Sequence, residues 1–131
     1  MKYLPAIYVI ASLFLGSCNQ KPIEQTPVKE FPNIKIADVQ KKINAKNNIL
    51  LLDVRTATEF EGPLSHIAGA VLLPIQELEQ RVDELNEHKE KEIIVICRSG
   101  NRSQTGTRIL ISYGFNAVNM LGGMKAWNYL Q

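Results

Sequence analysis

Three short runs of consecutive apolar residues stand out along the chain, at residues 49–52, 70–73 and 93–96. Runs of about four apolar residues without polar alternation are typical of strands buried on both faces of a parallel sheet. Shorter patterns predict two more strands, at residues 34–36 and 117–120. The sequence therefore predicts a sheet whose middle strands are shielded from solvent on both sides.

Between these runs, apolar residues recur three or four positions apart, which is the spacing of an amphipathic helix. This spacing predicts helices over residues 37–45, 75–85, 103–113 and 124–130. The third would end at Gly114, because glycine commonly follows the last helical residue. Strands that alternate with helices indicate an α/β fold with a mainly parallel central sheet flanked by helices.

The N-terminus has a different pattern. Lys2 precedes an apolar run over residues 3–15, which is shorter than the roughly 20 residues needed to span a bilayer. It has the length of a secretory signal core. The run ends in Leu-Gly-Ser followed by Cys18, which resembles the lipobox of bacterial lipoproteins, where the cysteine is acylated and becomes the N-terminus. An ordinary cleaved signal is the alternative.

We therefore predict a lipoprotein signal peptide at residues 1–17, a lipidated Cys18 with a tether over residues 18–32, and one domain over residues 33–131. The tether has three prolines and no helical or strand period, as extended linkers do. The expected location is the non-cytoplasmic face of a bacterial cell envelope, periplasmic or outer-membrane where two membranes exist. The lipid would be the contact with that membrane.

Composition narrows the function classes. The chain of 131 residues is long enough for one domain, and 45% hydrophobic with 21% charged residues is ordinary globular composition. The net charge is +2 and the basic residues are scattered, so no nucleic-acid partner is indicated. Two cysteines are too few for a disulfide scaffold.

The candidate chemistry follows the clearest predicted strand. Directly after residues 93–96 come, in order, Cys97, Arg98, Ser99, Gly100, Asn101, Arg102 and Ser103, and then a helix. Unpaired N–H groups at a helix start, with two guanidinium groups, favour an anion in this loop. Cysteine thiols in electropositive settings are the reactive ones, because the thiolate is the nucleophile. We predict that Cys97 is a nucleophile and that the other loop residues bind an anionic substrate.

Four segments in the same order resemble the signatures of rhodanese domains, over residues 33–131. In chain order they are Asp53-Val54-Arg55 with Glu59-Phe60, His66-Ile67-Ala68-Gly69-Ala70, the loop from Cys97 to Arg102, and the segment from Leu121 to Trp127. The resemblance implies a three-layer sandwich and a sulfurtransferase. One departure is Ser65, where the family usually has glycine before His-Ile.

By this resemblance, Cys97 would take a sulfane sulfur from thiosulfate or a persulfide donor and hold it as a persulfide. It would then pass the sulfur to a thiol or a cyanide-like acceptor. No resident cofactor is implied, only the transient persulfide. No metal is implied either, because His66 and His88 lack ligand spacing. With no second cysteine in residues 33–131, the acceptor must be external.

The remaining site residues have predicted supporting roles. Arg98 would recruit the anionic donor, whereas Arg102 would either contact the donor or pair with a carboxylate. Asp53 and Arg55 would form an internal charged network with Glu59, and His66 would be a hydrogen-bonded structural residue.

Two other functions remain open. One is a non-catalytic sulfur carrier or regulatory binding module that keeps the loop without turnover. The other is a cysteine phosphatase or arsenate reductase. Phosphatases of similar architecture place five residues between cysteine and arginine, but here the arginine is one residue early, at Arg102, and Ser103 occupies the later position. The shorter loop favours sulfur.

Overall fold

The computed structural model describes residues 30–131; the predicted signal peptide, Cys18 and most of the tether lie outside them. The strands are β1 Asn33–Ile34, β2 Ile49–Asp53, β3 Val71–Leu72, β4 Glu92–Ile96 and β5 Asn116–Met120. The helices are α1 Ile36–Asn44, α2 Ala57–Phe60, α3 Ile75–Leu78, α4 Asn101–Ser112 and α5 Gly123–Tyr129, with a 3₁₀ helix at Val82–His88. No helix within residues 30–131 is long and apolar enough to cross a membrane.

The five strands form one parallel sheet in the order β1-β5-β4-β2-β3. Residues 93–96 of β4 have no exposed surface, as the apolar run predicted. One face of the sheet packs against α1 and α5 through Val39 and Met124. The other packs against α3, the 3₁₀ helix and α4 through Leu78 and Leu110. The predicted α/β sandwich around a parallel sheet is confirmed.

Three predicted elements differ from the structure by more than one residue at a boundary or contain a break. The strand expected at residues 34–36 ends at Ile34, and Ile36 already begins α1 after Lys35. The helix expected at residues 75–85 is two segments, α3 and the 3₁₀ helix. The apolar spacing did not reveal the break between them, because residues three apart also share a face of a 3₁₀ helix. The helix expected at residues 103–113 begins two residues earlier, at Asn101.

The short helix α2 is absent from the predictions. A capping box stabilises its first turn: the Glu59 N–H donates to the Thr56 hydroxyl, and the Thr56 N–H donates to the Glu59 carboxylate. The sequence Thr56-Ala-Thr-Glu59 has the spacing of that motif. The capping box fixes where the Glu59 side chain lies, which matters for the site.

Candidate functional site

Cys97 lies directly beyond the carboxyl end of β4, at the same sheet edge as Asp53, which pairs in register with Ile96. Its residue surface is only 1% exposed. The N–H of Gly100 donates to Sγ over 3.0 Å, and Ser103 Oγ lies 3.2 Å from Sγ. Ligands of open α/β sheets bind at this edge. The sulfur therefore lies at the bottom of a loop that opens toward the expected ligand side.

The start of α5 fixes the orientation of this loop. The N–H of Met124 donates to the carbonyl of Cys97 over 2.8 Å, and the N–H of Lys125 donates to that of Arg98 over 3.0 Å. Because the N–H and C=O of a trans peptide point in opposite directions, the N–H groups of Arg98 and Ser99 point away from α5. They are available to an anion in the loop.

Two glycines make this packing possible. A Cβ on Gly123 would lie 2.5 Å from the carbonyl oxygen of Cys97, so only glycine lets α5 approach the loop this closely. Gly100 precedes α4 with φ of 110°, a left-handed conformation that residues with a side chain rarely adopt. That turn aims the Gly100 N–H at the sulfur.

A buried ion pair supports the loop from β2. Arg55 donates to the Asp53 carboxylate through Nε and Nη2, the latter over 2.7 Å, and both residues are fully buried. Arg55 also donates to the carbonyls of Ser65 over 2.6 Å and of Glu59 over 3.2 Å. The predicted partnership with Glu59 therefore uses that residue's backbone, not its carboxylate.

Ser65 occupies the position where a glycine was expected by resemblance. Its φ is 50°, which is left-handed and strained for a residue with a side chain. The turn places the Ser65 carbonyl against Arg55. The serine thus adopts a backbone conformation that glycine adopts readily.

The Glu59 carboxylate instead pairs with Arg102. Both guanidinium Nη atoms of Arg102 donate to it, over 2.7 and 2.5 Å. These bonds lower the pKa of Glu59 to about 2, against the opposing effect of burial, and the pKa of Arg102 is raised in turn. Of the two roles considered for Arg102, the geometry places its guanidinium on a carboxylate.

Arg98 is the loop cation left for a ligand. Its side chain forms no ion pair within residues 30–131, and Arg98, Ser99 and Asn101 are exposed around the buried sulfur. A cavity of about 240 Å³ opens beside the loop. It is lined by Arg55, Glu59, Pro63, Leu64 and Arg98. The site thus combines one free positive charge with an apolar wall.

Ser103 is not a surface contact, because it is fully buried beneath Cys97. Its hydroxyl oxygen lies 2.6 Å from Oδ1 of Asn119 in β5, and Nδ2 of Asn119 donates to Oδ1 of Asn33 over 2.8 Å. The sequence predictions missed both asparagines. A signal was present, because asparagine is uncommon inside a buried strand.

His66 lies apart from the sulfur. Its Nδ1 is 3.0 Å from the carbonyl oxygen of Phe60, on whose ring it stacks. It also lines a larger groove of about 370 Å³ between α1 and α5, with Trp127 but no loop residue. Within residues 30–131, no three His, Cys, Asp or Glu side chains are grouped to hold a metal ion.

Comparisons with known proteins show which family this chain resembles. The family model described as Rhodanese-like domain matches residues 35–129. The chain is 38% identical over 98 residues to the putative sulfur carrier protein YrkF of Bacillus subtilis, covering 74% of this chain but only 51% of that protein. It is 36% identical to the putative sulfurtransferase YtwF of the same organism, covering 75% and 91%.

A solved structure gives the same result for the fold. The rhodanese-related protein of Thermoplasma volcanium superposes with a TM-score of 0.68 and 31% identity, over 76% of this chain and 93% of that one. The chain spans about half the length of YrkF, so the likeness to that protein concerns one part of it.

Proposed function

The chain belongs to the rhodanese-like domain family, and we propose that it is a sulfurtransferase that carries sulfane sulfur on Cys97 as a persulfide. The observation that carries the proposal is the position of Sγ, which accepts the Gly100 N–H at the base of a six-residue loop. N–H groups aimed at a sulfur stabilise the negative charge that it has as a nucleophile and regains as a leaving group. A sulfurtransferase needs the cysteine sulfur to act both as a nucleophile and as a leaving group.

In the first half-reaction, the Cys97 thiolate attacks the outer sulfur of the donor. With thiosulfate, the new S–S bond forms on Sγ, the donor S–S bond breaks, and sulfite leaves with its electron pair. With an organic persulfide, a thiolate leaves instead. The loop N–H groups and Arg98 bind the anionic part of the donor.

In the second half-reaction, a nucleophilic acceptor attacks the outer sulfur of the Cys97 persulfide. The bond to Sγ breaks and the Cys97 thiolate is restored. The chain has only one other cysteine, Cys18, for which lipidation is proposed below. The sulfur therefore passes to an external thiol or to a cyanide-like acceptor.

A sulfur carrier without turnover of its own is the second candidate. It is favoured by the likeness to YrkF, which is described as a putative sulfur carrier protein. A carrier needs the same loop, because it must form and protect the same persulfide. It differs only in requiring a dedicated acceptor. Phosphatase or arsenate reductase chemistry is disfavoured by the position of Arg102, which is bound to Glu59.

The test uses the full-length chain in detergent with thiosulfate and cyanide. Thiocyanate formation is followed together with the mass of the protein, and Cys97→Ser is the control. We expect turnover and a mass gain of one sulfur atom, both lost in the variant. An adduct without turnover would support the carrier instead. No adduct, from thiosulfate or from a low-molecular-weight persulfide, would refute both.

We also propose that Cys18 anchors the protein through lipid at the non-cytoplasmic face of the envelope. The support is the apolar run over residues 3–15 and the small residues before Cys18. Several acyl chains, at roughly 0.8 kcal/mol per buried CH₂, hold a domain firmly at a membrane. Cys18→Ala should move the protein to the soluble fraction with Cys97 chemistry retained. Continued membrane association would contradict the proposal.

A further inference from the structure

A chain of hydrogen bonds leads from the sulfur to the first strand of the domain. Sγ of Cys97 contacts Ser103 Oγ, Ser103 contacts the amide of Asn119, and Asn119 contacts Asn33. Asn33 and Asn119 face each other in the register of β1 and β5. Asn119 is 1% exposed, and Asn33 lies at the surface. These hydrogen bonds therefore form a polar path from the buried sulfur to the protein surface at β1.

The Ser103 hydroxyl lies at the centre of this path and has a single proton to donate. Ser103 Oγ is within hydrogen-bond distance of three groups: Asn119 Oδ1, the Gly100 carbonyl and Sγ. With Oδ1 of Asn119 facing it at 2.6 Å, the hydroxyl proton lies on the bond to Asn119. Ser103 can then only accept from Cys97, which suits a neutral thiol.

A thiolate requires the opposite arrangement. For Ser103 to donate to Sγ, the close group of Asn119 must become its NH₂, because two oxygens without a proton between them repel. An asparagine amide exchanges its oxygen and nitrogen by half a turn with little other movement. Asn119 would then present Oδ1 to Asn33, whose own amide must turn to donate.

We propose that Asn119 and Asn33 are positioning residues whose amides turn together to give the Cys97 thiolate a second hydrogen-bond donor, the Ser103 hydroxyl. The inference rests on the proposed function only in its use of the thiolate. The donor acts twice in each cycle, when the sulfur attacks and when it leaves the persulfide. Asn119 and Asn33 touch no substrate and act only through Ser103.

The test compares Asn33→Asp with Asn33→Ala. A carboxylate at residue 33 can only accept, so it holds the Asn119 NH₂ toward itself and keeps Oδ1 on Ser103. Alanine leaves Asn119 free to turn. We expect Cys97 to react with iodoacetamide about tenfold more slowly in Asn33→Asp than in Asn33→Ala, as for loss of one hydrogen bond to a charged atom.

The rate is measured on the full-length chain at neutral pH, in the tryptic peptide of residues 92–98, which contains Cys97 and not Cys18. A merely structural asparagine gives the reverse order, because aspartate keeps the bond from Asn119 and alanine loses it. Equal rates, or a slower Asn33→Ala, would overturn the proposal. Iodoacetamide needs no sulfur donor, so this result is independent of whether the protein transfers sulfur.

Two controls separate the path from simple charge. Lys35→Glu adds negative charge at an exposed neighbouring residue outside the path, and we expect a rate within about twofold of wild type, because exposed charges are screened. In a Ser103→Ala background the path no longer reaches the sulfur, so Asn33→Asp and Asn33→Ala should react equally fast. A difference that persists there, or slowing by Lys35→Glu as large as that by Asn33→Asp, would overturn the proposal.

Discussion

Two arginine–carboxylate pairs support the loop, and they differ in burial and in reach. Asp53 and Arg55 are two residues apart and fully buried. Glu59 and Arg102 are 43 residues apart, and their side chains are 27% and 33% exposed. A buried pair that loses one member leaves an uncompensated charge in the core, whereas a half-exposed pair is hydrated when separated. The first pair should therefore govern stability, and the second the charge presented to the donor.

Replacing Arg55 by methionine tests the buried pair and should have the largest effect. It removes the guanidinium donors of the Asp53 carboxylate and the Ser65 carbonyl, and leaves Asp53 with only the backbone N–H of residue 55. We expect the free energy of unfolding to fall by about 3–5 kcal/mol, measured by urea titration. Arg81→Met is the matched control, because Arg81 also binds carboxylates, Glu77 and Glu84, but at the surface. If the two variants lose equal stability, burial does not distinguish the pairs.

Arg98, in contrast to Arg55 and Arg102, has no carboxylate partner within residues 30–131. Its charge is free for the donor, so Arg98→Ala should raise KM for thiosulfate about tenfold. kcat should change much less, because the loop N–H groups remain in place. Steady-state thiocyanate formation measures both constants. An unchanged KM would make Arg98 an ordinary surface residue.

Glu59→Gln tests the half-exposed pair. It removes the carboxylate charge that neutralises the Arg102 guanidinium, to which both carboxylate oxygens are hydrogen-bonded. A second cation beside the donor should lower KM for thiosulfate by roughly fivefold, equivalent to about 1 kcal/mol for one partly exposed ion pair. A neutral acceptor or donor should gain nothing, which provides the internal control. A higher KM would mean that the pair holds the shape of the loop.

Features that depend on a single segment of the chain were predictable from the sequence, whereas contacts between distant segments were not. Residues 93–96 identify β4 because a buried strand needs apolar side chains on both faces, and the loop after it is local in sequence. The pairing of Glu59 with Arg102 depends on the position of α2. The contact of Asn33 with Asn119 joins residues 86 apart. Such contacts are set by strand order and register, which the pattern of a single segment does not contain.

The predicted helix boundaries were wrong for a different reason. The apolar residues Leu78, Val82 and Leu85 are all buried on one face of the sheet, as the spacing required. The backbone satisfies that spacing with a break between α3 and the 3₁₀ helix. Burial was therefore predictable where the exact backbone path was not, because several helical geometries place residues three or four apart on the same side.

Lowering the pH is the last test of the half-exposed pair, and its expected effect on stability is the smallest. In the folded chain the pKa of Glu59 is lowered from 4.5 to about 2, so the folded state holds this proton more weakly than the unfolded state. The stability from the pair is complete above pH 4.5 and is lost as the pH falls toward 2. The loss should be at most about 1 kcal/mol, because both side chains are partly hydrated. Urea titrations of wild type and Glu59→Gln across this range should converge at low pH. A stability difference between the two proteins that stays constant across this pH range would show that the Glu59 carboxylate contributes nothing that depends on its charge.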